Sequence, residues 1–308
     1  MRKTIEIADF EKAIGENLSE LVKEKIGECE FVYDEISKEE RDSLTLLIVD
    51  FLLEDIFVKK AGPHRINDWV KGWGENCTEF SDSGDFNSLV PKYFGKHPYV
   101  RWQGQWIKPA NKDFEYNMVR ILQYWLFEKF FSSCENIYEF GCGTGHNLFR
   151  AHEVNSSANI TGLDWASSSQ ETLQEINRVY GFDFSGHNFD FYNVDNDFVL
   201  EKNSGVYTFA ALEQVGSRYQ EFVEYLVKNN TGVCIHVEPM AECLDKEGLC
   251  DYLSIKYFEK RKYLNGFANH LASLADEEKI EIIYEKRSFI GSVFINGYSI
   301  IAWRTKNA

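Results

Sequence analysis

The residues best suited to chemistry lie in one short stretch near the middle of the chain, Glu139-Phe140-Gly141-Cys142-Gly143-Thr144-Gly145. An apolar run typical of a strand precedes it, and a helical pattern begins near His146. Glycines at such a turn let the backbone bend sharply and approach a ligand closely, because no Cβ intervenes. The pattern therefore predicts a cofactor that lies across this turn.

The glycine spacing and the acid before it indicate the kind of cofactor. Dinucleotide-binding folds use G-x-G-x-x-G, which leaves room for a pyrophosphate, whereas this turn is G-x-G-x-G with Glu139 two residues before the first glycine. A carboxylate that faces the ligand suits a cation better than a pyrophosphate. Asp164 ends the next predicted strand, where this architecture uses an acid to accept hydrogen bonds from ribose hydroxyls.

A parallel sheet is needed to position these residues, and the sequence after Ser133 alternates strand, turn and helix. This alternation is typical of an α/β fold with helices on both faces of the sheet. The segments IEIIYEKRS and YSIIAWR near the end of the chain would add two strands that pair as a hairpin. The other strands are expected near residues 136–140, 159–163, 188–194, 205–211 and 232–238.

The first third of the chain has a different character. Ser37 and Glu40 form a capping box that opens a predicted buried helix over 37–59. Residues 61–113 hold four of the five prolines and four of the seven tryptophans, so we expect an ordered lid that buries its rings rather than a disordered segment. We therefore divide the chain into a cap at 1–112 and an α/β domain at 113–308 with a helical insertion at 241–279.

The stretch from Glu139 to Gly145 resembles the first motif of class I S-adenosylmethionine-dependent methyltransferases, an acid-x-G-x-G-x-G on the first strand. The segment Ala211-Leu212-Glu213-Gln214-Val215 is similar to the family's leucine-acid-histidine turn after the fourth strand, with Gln214 in place of the histidine. The resemblance covers roughly residues 130 to 305. It implies a Rossmann-like, seven-stranded, mostly parallel sheet with an antiparallel last strand, and S-adenosyl-L-methionine as the cofactor.

Carried over by position, the resemblance also implies a cofactor site. The glycine loop would hold the amino-acid part of the cofactor, with Glu139 near its ammonium group. Asp164 would bind the ribose, Trp165 would lie against the adenine, and Asp195 would contact the adenine amine. The predicted cofactor-binding residues are Glu139, Gly141, Cys142, Gly143, Gly145, Asp164, Trp165 and Asp195.

Candidates for a general base follow from the rule that ligands bind outside the carboxyl ends of parallel strands. They are Glu213 after the fourth strand and His236 and Glu238 on the fifth, with Glu238 the first choice. His236 and Glu238 alternate with Val237, so they share a strand face, where a coupled pair would shift each other's pKa. The alternatives are an acid that caps the strand end for Glu238 and a core residue for His236.

Acceptor recognition is expected from the aromatic stretch before residue 113 and from the insertion after Pro239. A cluster from Lys256 to Lys262 would suit a phosphate or carboxylate on the substrate, although a solvated helix face explains it equally well. A core or surface role is the alternative for every aromatic candidate. The predicted substrate-binding residues are Trp102, Trp106, Tyr116, Tyr252, Tyr257 and Arg261.

Composition narrows the partners. With 49 acidic against 33 basic side chains, the formal charge of −16 disfavours a nucleic acid or an anionic membrane. The chain has no long uncharged apolar run and no signal-peptide pattern, so a soluble cytoplasmic protein is expected. Its seven cysteines form no CxxC pair, and we predict neither a disulfide framework nor a metal site.

Together these patterns predict S-adenosylmethionine-dependent methylation of a small molecule. The closing segments, His236–Pro239 and Gly297–Arg304, resemble methyltransferases associated with sugar or surface-glycan assembly, which favours O-methylation of a sugar, a glycan precursor or a phosphorylated metabolite. Two alternatives stay open: an NAD(P)-dependent oxidoreductase, which would need a glycine where His146 stands, and a non-catalytic cofactor-binding scaffold. The aromatic first third fits a homodimer interface as well as a lid.

Overall fold

A computed structural model of the chain describes residues 1–54 and 58–306. In chain order its strands are β1 (Arg2–Thr4), β2 (Val32–Glu35), β3 (Val100–Trp102), β4 (Gln105–Pro109), β5 (Asn136–Phe140), β6 (Asn159–Asp164), β7 (Ser185–Asn188), β8 (Ser204–Phe209), β9 (Val233–Glu238), β10 (Ile280–Arg287), β11 (Ile290–Gly291) and β12 (Ser299–Thr305). Its α-helices are α1 (Ile7–Ile14), α2 (Glu20–Gly27), α3 (Lys38–Leu53), α4 (Ile66–Ser83), α5 (Phe114–Phe131), α6 (Leu148–Val154), α7 (Ser167–Tyr180), α8 (Gln220–Asn229), α9 (Leu249–Arg261) and α10 (Phe267–Asp276).

Seven strands form the main sheet, in the order β10-β12-β9-β8-β5-β6-β7. The pairs from β9 to β7 are parallel, whereas β12 runs antiparallel to both β9 and β10. The central strands are covered on both faces, and every residue of β9 is buried, as expected where helices pack on each side of a parallel sheet. The predicted α/β fold class, the antiparallel last strand and the closing hairpin are confirmed.

The predicted third strand at 188–194 is displaced in the structure, where β7 ends at Asn188. The alternating rings after it belong to a loop that folds back beneath the carboxyl end of the sheet. Phe189 lies 4.7 Å from Phe140 and Phe191 lies 4.8 Å from Phe222, measured between ring centroids. An apolar alternation indicates which side chains face the protein, but beyond Asn188 this one adds no further pairs to the main sheet.

The predicted helix over 37–59 is present with shorter bounds, but it is not the buried helix expected, because only Leu44 and Ile48 of α3 are buried. The capping box of Ser37 and Glu40 opens α3, which ends at Leu53. The rest of the predicted 37–59 helix includes residues 55–57, which lie outside the described residues. The predicted insertion at 241–279 contains α9 and α10, and no described helix is long and apolar enough to cross a membrane.

A second sheet, of five strands, connects the two ends of the chain. Its order is β1-β2-β4-β3-β11, so β11, from the segment between the two closing strands, pairs with β3 of the first third. One hydrophobic cluster includes Ile5 and Phe10 together with Ile290 and Ile300. Contacts therefore cross the boundary that the sequence indicates at residue 112.

Candidate active site

A cavity of about 490 Å³ lies at the carboxyl ends of β5, β6 and β8, a volume in the range of small-molecule sites. It lies between the main sheet, α4, the end of α9 and the loop before β12. The predicted site residues that line it are Gly141, Cys142, Gly143, Asp164, Trp165, Glu213, Tyr257 and Arg261. Those that do not line it are Glu139, Gly145, Asp195, His236, Glu238, Trp102, Trp106, Tyr116 and Tyr252.

Two glycines of the turn after β5 are required by close contacts. Gly141 has φ of 81°, and a Cβ there would lie 2.3 Å from the Cβ of Ala211. Gly143 has φ of 55°, and a Cβ there would lie 3.1 Å from the indole of Trp73 on α4. The glycine turn therefore packs closely against two segments: Ala211, in the turn after β8, and Trp73, from the first third of the chain. Gly145 instead permits close packing, because a Cβ there would lie 2.5 Å from Leu173.

Asp164 is held by the backbone at both carboxylate oxygens. Oδ2 accepts the Gly143 N–H at 2.9 Å and Oδ1 accepts the Ala166 N–H at 2.8 Å. Burial raises the pKa of Asp164 to about 6, while the two N–H donors favour its ionised form. Since a carboxylate oxygen has two lone pairs, each still has capacity for a ligand hydroxyl.

Glu139 does not line the cavity. Its side chain is fully buried, with Oε1 accepting from Asn147 Nδ2 at 2.7 Å and Oε2 accepting from the Tyr207 hydroxyl at 3.0 Å. Burial raises its pKa to about 8. In this position Glu139 connects Asn147, which lines the cavity, to Tyr207 on β8.

Trp165 lines the cavity together with rings that the sequence reasoning did not assign. Phe189, Phe191 and Tyr192 also line the cavity, and the rings of Trp165 and Tyr192 lie 5.9 Å apart. Asp195 lies away from the cavity, where one carboxylate oxygen is 3.0 Å from His187 Nε2. β7 ends at Asn188, and the residues that follow it at the cavity are Phe189, Phe191 and Tyr192, so Asp195 comes after the part of the loop that lines the cavity.

Glu238, the first choice for the general base, does not line the cavity and instead accepts backbone hydrogen bonds. Its fully buried carboxylate accepts the N–H groups of Ala211 and Leu212 at Oε1, both at 3.1 Å, and that of Glu213 at Oε2, at 3.0 Å. The turn after β8 leaves these donors without strand partners, and buried N–H groups need acceptors. Burial raises the pKa of Glu238 to about 7, while its donors favour the carboxylate. Glu238 therefore positions the turn.

His236 is also a core residue in the structure. Its ring is fully buried, with Nδ1 3.0 Å from the Thr208 hydroxyl and the ring centroid 4.9 Å from that of Phe267. Burial lowers its pKa to about 3, so the imidazole is neutral at ordinary pH. The alternative given for His236, a core histidine, describes its surroundings.

Glu213 is the one predicted base that lines the cavity. It is 7% exposed, and its Oε1 accepts from Gln214 Nε2 at 2.8 Å. Burial first, and then the nearby Glu238 carboxylate, raise the pKa of Glu213 to about 8, while Arg261 lowers it. A carboxyl with a pKa near neutrality at the wall of a cavity is suited to proton transfer.

The acceptor-side candidates divide between the cavity and the core. Tyr257 and Arg261 line the cavity, and the Tyr257 ring stacks on Phe294 at 4.8 Å. The other predicted aromatic residues do not line it. Trp102 and Trp106 are buried in two separate hydrophobic clusters. Tyr116 packs against Phe94 and its hydroxyl accepts from Arg150, whereas Tyr252 is 47% exposed on α9.

Nine residues from the first third line the cavity, and the sequence reasoning named none of them as site residues; three of the nine contact one another. Trp69 and Trp73 stack with ring centroids 5.3 Å apart, and the Arg65 guanidinium lies 4.8 Å from the Trp69 ring. Arg65 also donates from Nη1 to Gln214 Oε1 at 3.5 Å. The spacing of 65, 69 and 73 was the available signal, since residues four apart share one helix face.

Another missed carboxyl is Glu115, at the start of α5, which also lines the cavity. Burial raises its pKa to about 7.

Among residues 1–54 and 58–306, no group of three or more His, Cys, Asp or Glu side chains is arranged to hold a metal ion.

No protein-family model and no curated protein matches this chain. Among solved structures, the plantazolicin methyltransferase BpumL in complex with SAH is 15% identical, with a TM-score of 0.47, over 80% of this chain and 98% of its own. Geranyl diphosphate methyltransferase in complex with SAM is 12% identical, with a TM-score of 0.46, over 68% and 98%. The Pyrococcus abyssi tRNA (uracil-54, C5)-methyltransferase is 10% identical, with a TM-score of 0.41, over 61% and 38%.

Proposed function

We propose that this protein is an S-adenosylmethionine-dependent methyltransferase that methylates a hydroxyl oxygen of a small molecule, such as a sugar, a glycan precursor or a phosphorylated metabolite. The observation that carries the proposal is the placement of the backbone-held Asp164 and the glycine turn in the same aromatic-lined cavity as Glu213. The side with Asp164 and the glycine turn suits a nucleoside with a cationic tail, and Glu213 on the other side would accept a proton.

The residues present fit this cofactor. Asp164 would accept hydrogen bonds from the ribose hydroxyls, because both its oxygens keep free lone pairs beside the turn. Trp165 and Phe189 offer apolar faces for the adenine. Gly141 and Gly143 would present the backbone of the turn to the cofactor tail, because both line the cavity and neither carries a side chain.

The chain would contribute alignment and proton removal. When bound, the cofactor supplies a methyl group whose carbon–sulfur bond breaks as a carbon–oxygen bond forms. Holding an acceptor in line is the larger contribution, since effective molarities in well-oriented systems reach about 10⁵ M or more. Glu213 would take the hydroxyl proton onto its carboxylate, which contributes roughly 10²- to 10⁴-fold. Trp73, packed over Gly143, would help to exclude water.

The geometry argues against a dinucleotide. A pyrophosphate needs free N–H groups at a helix N-terminus. Here the Gly143 N–H is donated to Asp164 and the Gly145 N–H to the Cys142 carbonyl at 2.8 Å, so two N–H groups of the turn already have acceptors. The proton acceptor at the cavity wall favours a catalyst over a scaffold. The formal charge of −16 supports a small molecule over a nucleic acid.

Calorimetric titration with S-adenosylmethionine, S-adenosylhomocysteine and NADH tests the cofactor. We expect micromolar binding of the first two, weakened about a hundredfold in Asp164→Ala, since the loss of two charge-assisted hydrogen bonds is worth roughly 3 kcal/mol. Asp195→Ala is the matched control, because its carboxylate lies outside the cavity and should leave affinity unchanged. Binding of NADH alone would contradict the proposal.

A further inference from the structure

We infer that the acceptor carries an oxyanion, either a carboxylate or a phosphate, and that Arg261 binds it at the α9 end of the cavity. This inference deepens the proposed function and rests on it. It is carried by a cation that has no carboxylate partner among the described residues, although it lines the same cavity as Glu213.

The hydrogen-bonding capacity of Arg261 is largely unused. Its Nη2 donates to the Tyr263 hydroxyl at 3.1 Å, while its Nε is buried and has no hydrogen-bond partner. None of the ion pairs within residues 1–54 and 58–306 includes this side chain. A half-buried guanidinium with a donor that bonds to no acceptor is destabilising, and an anion bound beside it would supply the missing acceptor.

The side chain is also held in place before any ligand arrives. Arg261 is the last residue of α9, and its carbonyl accepts the Ala61 N–H at 2.7 Å. The guanidinium lies 5.2 Å from the Tyr263 ring and 5.9 Å from the Tyr257 ring. Because the planar fork of arginine matches carboxylate and phosphate oxygens, a guanidinium fixed in this way is prepared for an oxyanion.

The other nearby cations differ from Arg261. Arg65 lines the cavity but donates to Asp68 at 3.2 Å, so its charge is already compensated. Lys256, in the basic cluster noted in the sequence, is outside the cavity and pairs with Glu259 at 2.7 Å. Lys96 lines the cavity, is exposed and belongs to no ion pair of the described residues, so it adds a second positive charge near the opening.

A competing role for Arg261 is to keep Glu213 ionised, since its charge favours the carboxylate there. The two roles predict different responses. A residue that binds the acceptor affects ligand affinity according to the ligand's charge. A residue that only tunes Glu213 affects the pH dependence of turnover and leaves the preference between charged and neutral ligands unchanged.

The test uses the full chain saturated with S-adenosylhomocysteine, at constant ionic strength. Benzoate, phenyl phosphate and the neutral benzamide are the probes, because the cavity is lined by aromatic rings. At least one of the two anions should bind about tenfold or more tighter than benzamide, a typical value for one charge-assisted hydrogen bond. Arg261→Gln should abolish this preference, Arg261→Lys should retain part of it, and Lys256→Gln, on the same helix, should leave it intact.

Each outcome has a distinct meaning. Preference for benzoate alone or for phenyl phosphate alone supports the inference and identifies the oxyanion. Equal binding of the charged and neutral probes to the wild-type protein, or a preference that survives in Arg261→Gln, overturns it. Failure to bind S-adenosylhomocysteine overturns the proposed function and this inference together, whereas binding of S-adenosylhomocysteine without any anion preference overturns this inference alone.

Discussion

One side of the cavity comes from the segments that follow three neighbouring strands, β5, β6 and β7, whereas the opposite side collects side chains from α4, the turn after β8, the end of α9 and the loop before β12. The first side is held by backbone groups, as at the Gly143 N–H. The second is held by contacts between side chains, such as the Tyr257–Phe294 stack and the Arg261–Tyr263 hydrogen bond.

The difference between the two sides has a functional consequence. Backbone geometry at the glycine turn depends on the absence of a Cβ, so few substitutions are tolerated there. Side chains on the acceptor side come from separate elements and can change one at a time without moving the sheet. We therefore expect variants on the first side to affect the cofactor, and variants on the second to affect the acceptor and the rate.

The largest effect is expected from the two acids that share the turn after β8. Glu213→Gln should lower turnover by about 10²- to 10⁴-fold with cofactor affinity unchanged, because it removes the proton acceptor on the cavity wall. Glu238→Gln should lower the Tm and turnover together, because an amide cannot accept all three N–H groups. Turnover with each substrate and thermal unfolding are the measurements. An active Glu213→Gln beside an inactive but fully stable Glu238→Gln would reverse the assignment.

The next effect is a pH dependence that differs between the two sides. Because the pKa of Glu213 is raised to about 8, its carboxyl keeps its proton below that pH, so turnover should rise about tenfold per unit up to roughly pH 8 and then level off. The rise should be absent in Glu213→Gln. Cofactor affinity should instead fall as the pH drops through about 6, where Asp164 gains a proton. If turnover and cofactor affinity changed with pH around the same midpoint, the assignment of Glu213 to turnover and Asp164 to cofactor binding would be wrong.

Gly141→Ala should affect both sides moderately, since its new Cβ would lie 2.3 Å from the Cβ of Ala211 in the turn that carries Glu213. The close contact and the positive φ should destabilise the fold by about 1–3 kcal/mol, a fall of several degrees in Tm. Cofactor affinity and turnover should both decrease severalfold. A change in only one of them would show that the two sides are not coupled at this contact.

The smallest effect is expected at Gly72, within α4, where an added Cβ meets no atom within 4 Å. Gly72→Ala should stabilise the protein by roughly 0.5–1 kcal/mol, because glycine in a helix interior loses more conformational freedom on folding than alanine does. Thermal unfolding measures the gain, and unchanged cofactor affinity is the control. Loss of stability would mean that α4 is not helical at Gly72 in solution.

Much of the architecture was predictable from local patterns. Periodicity after Ser133 indicated the parallel sheet, and the glycine turn with Asp164 indicated which strand ends form the site, because backbone conformation at such turns depends on residue type within a few positions. The edge strand β7 was misplaced, since apolar alternation reports burial of side chains and cannot distinguish a strand from a loop packed on rings.

The partners of the chemically active side chains depended on contacts between distant segments. Glu213 and Glu238 are both acids at strand ends, and only the turn after β8 determines which one faces the cavity and which one accepts its three N–H groups. Trp73 comes to lie over Gly143, seventy residues away, because α4 packs on α7. Residue type and local spacing predict the backbone of a site, but the direction and partner of each buried side chain are set by packing across the whole fold.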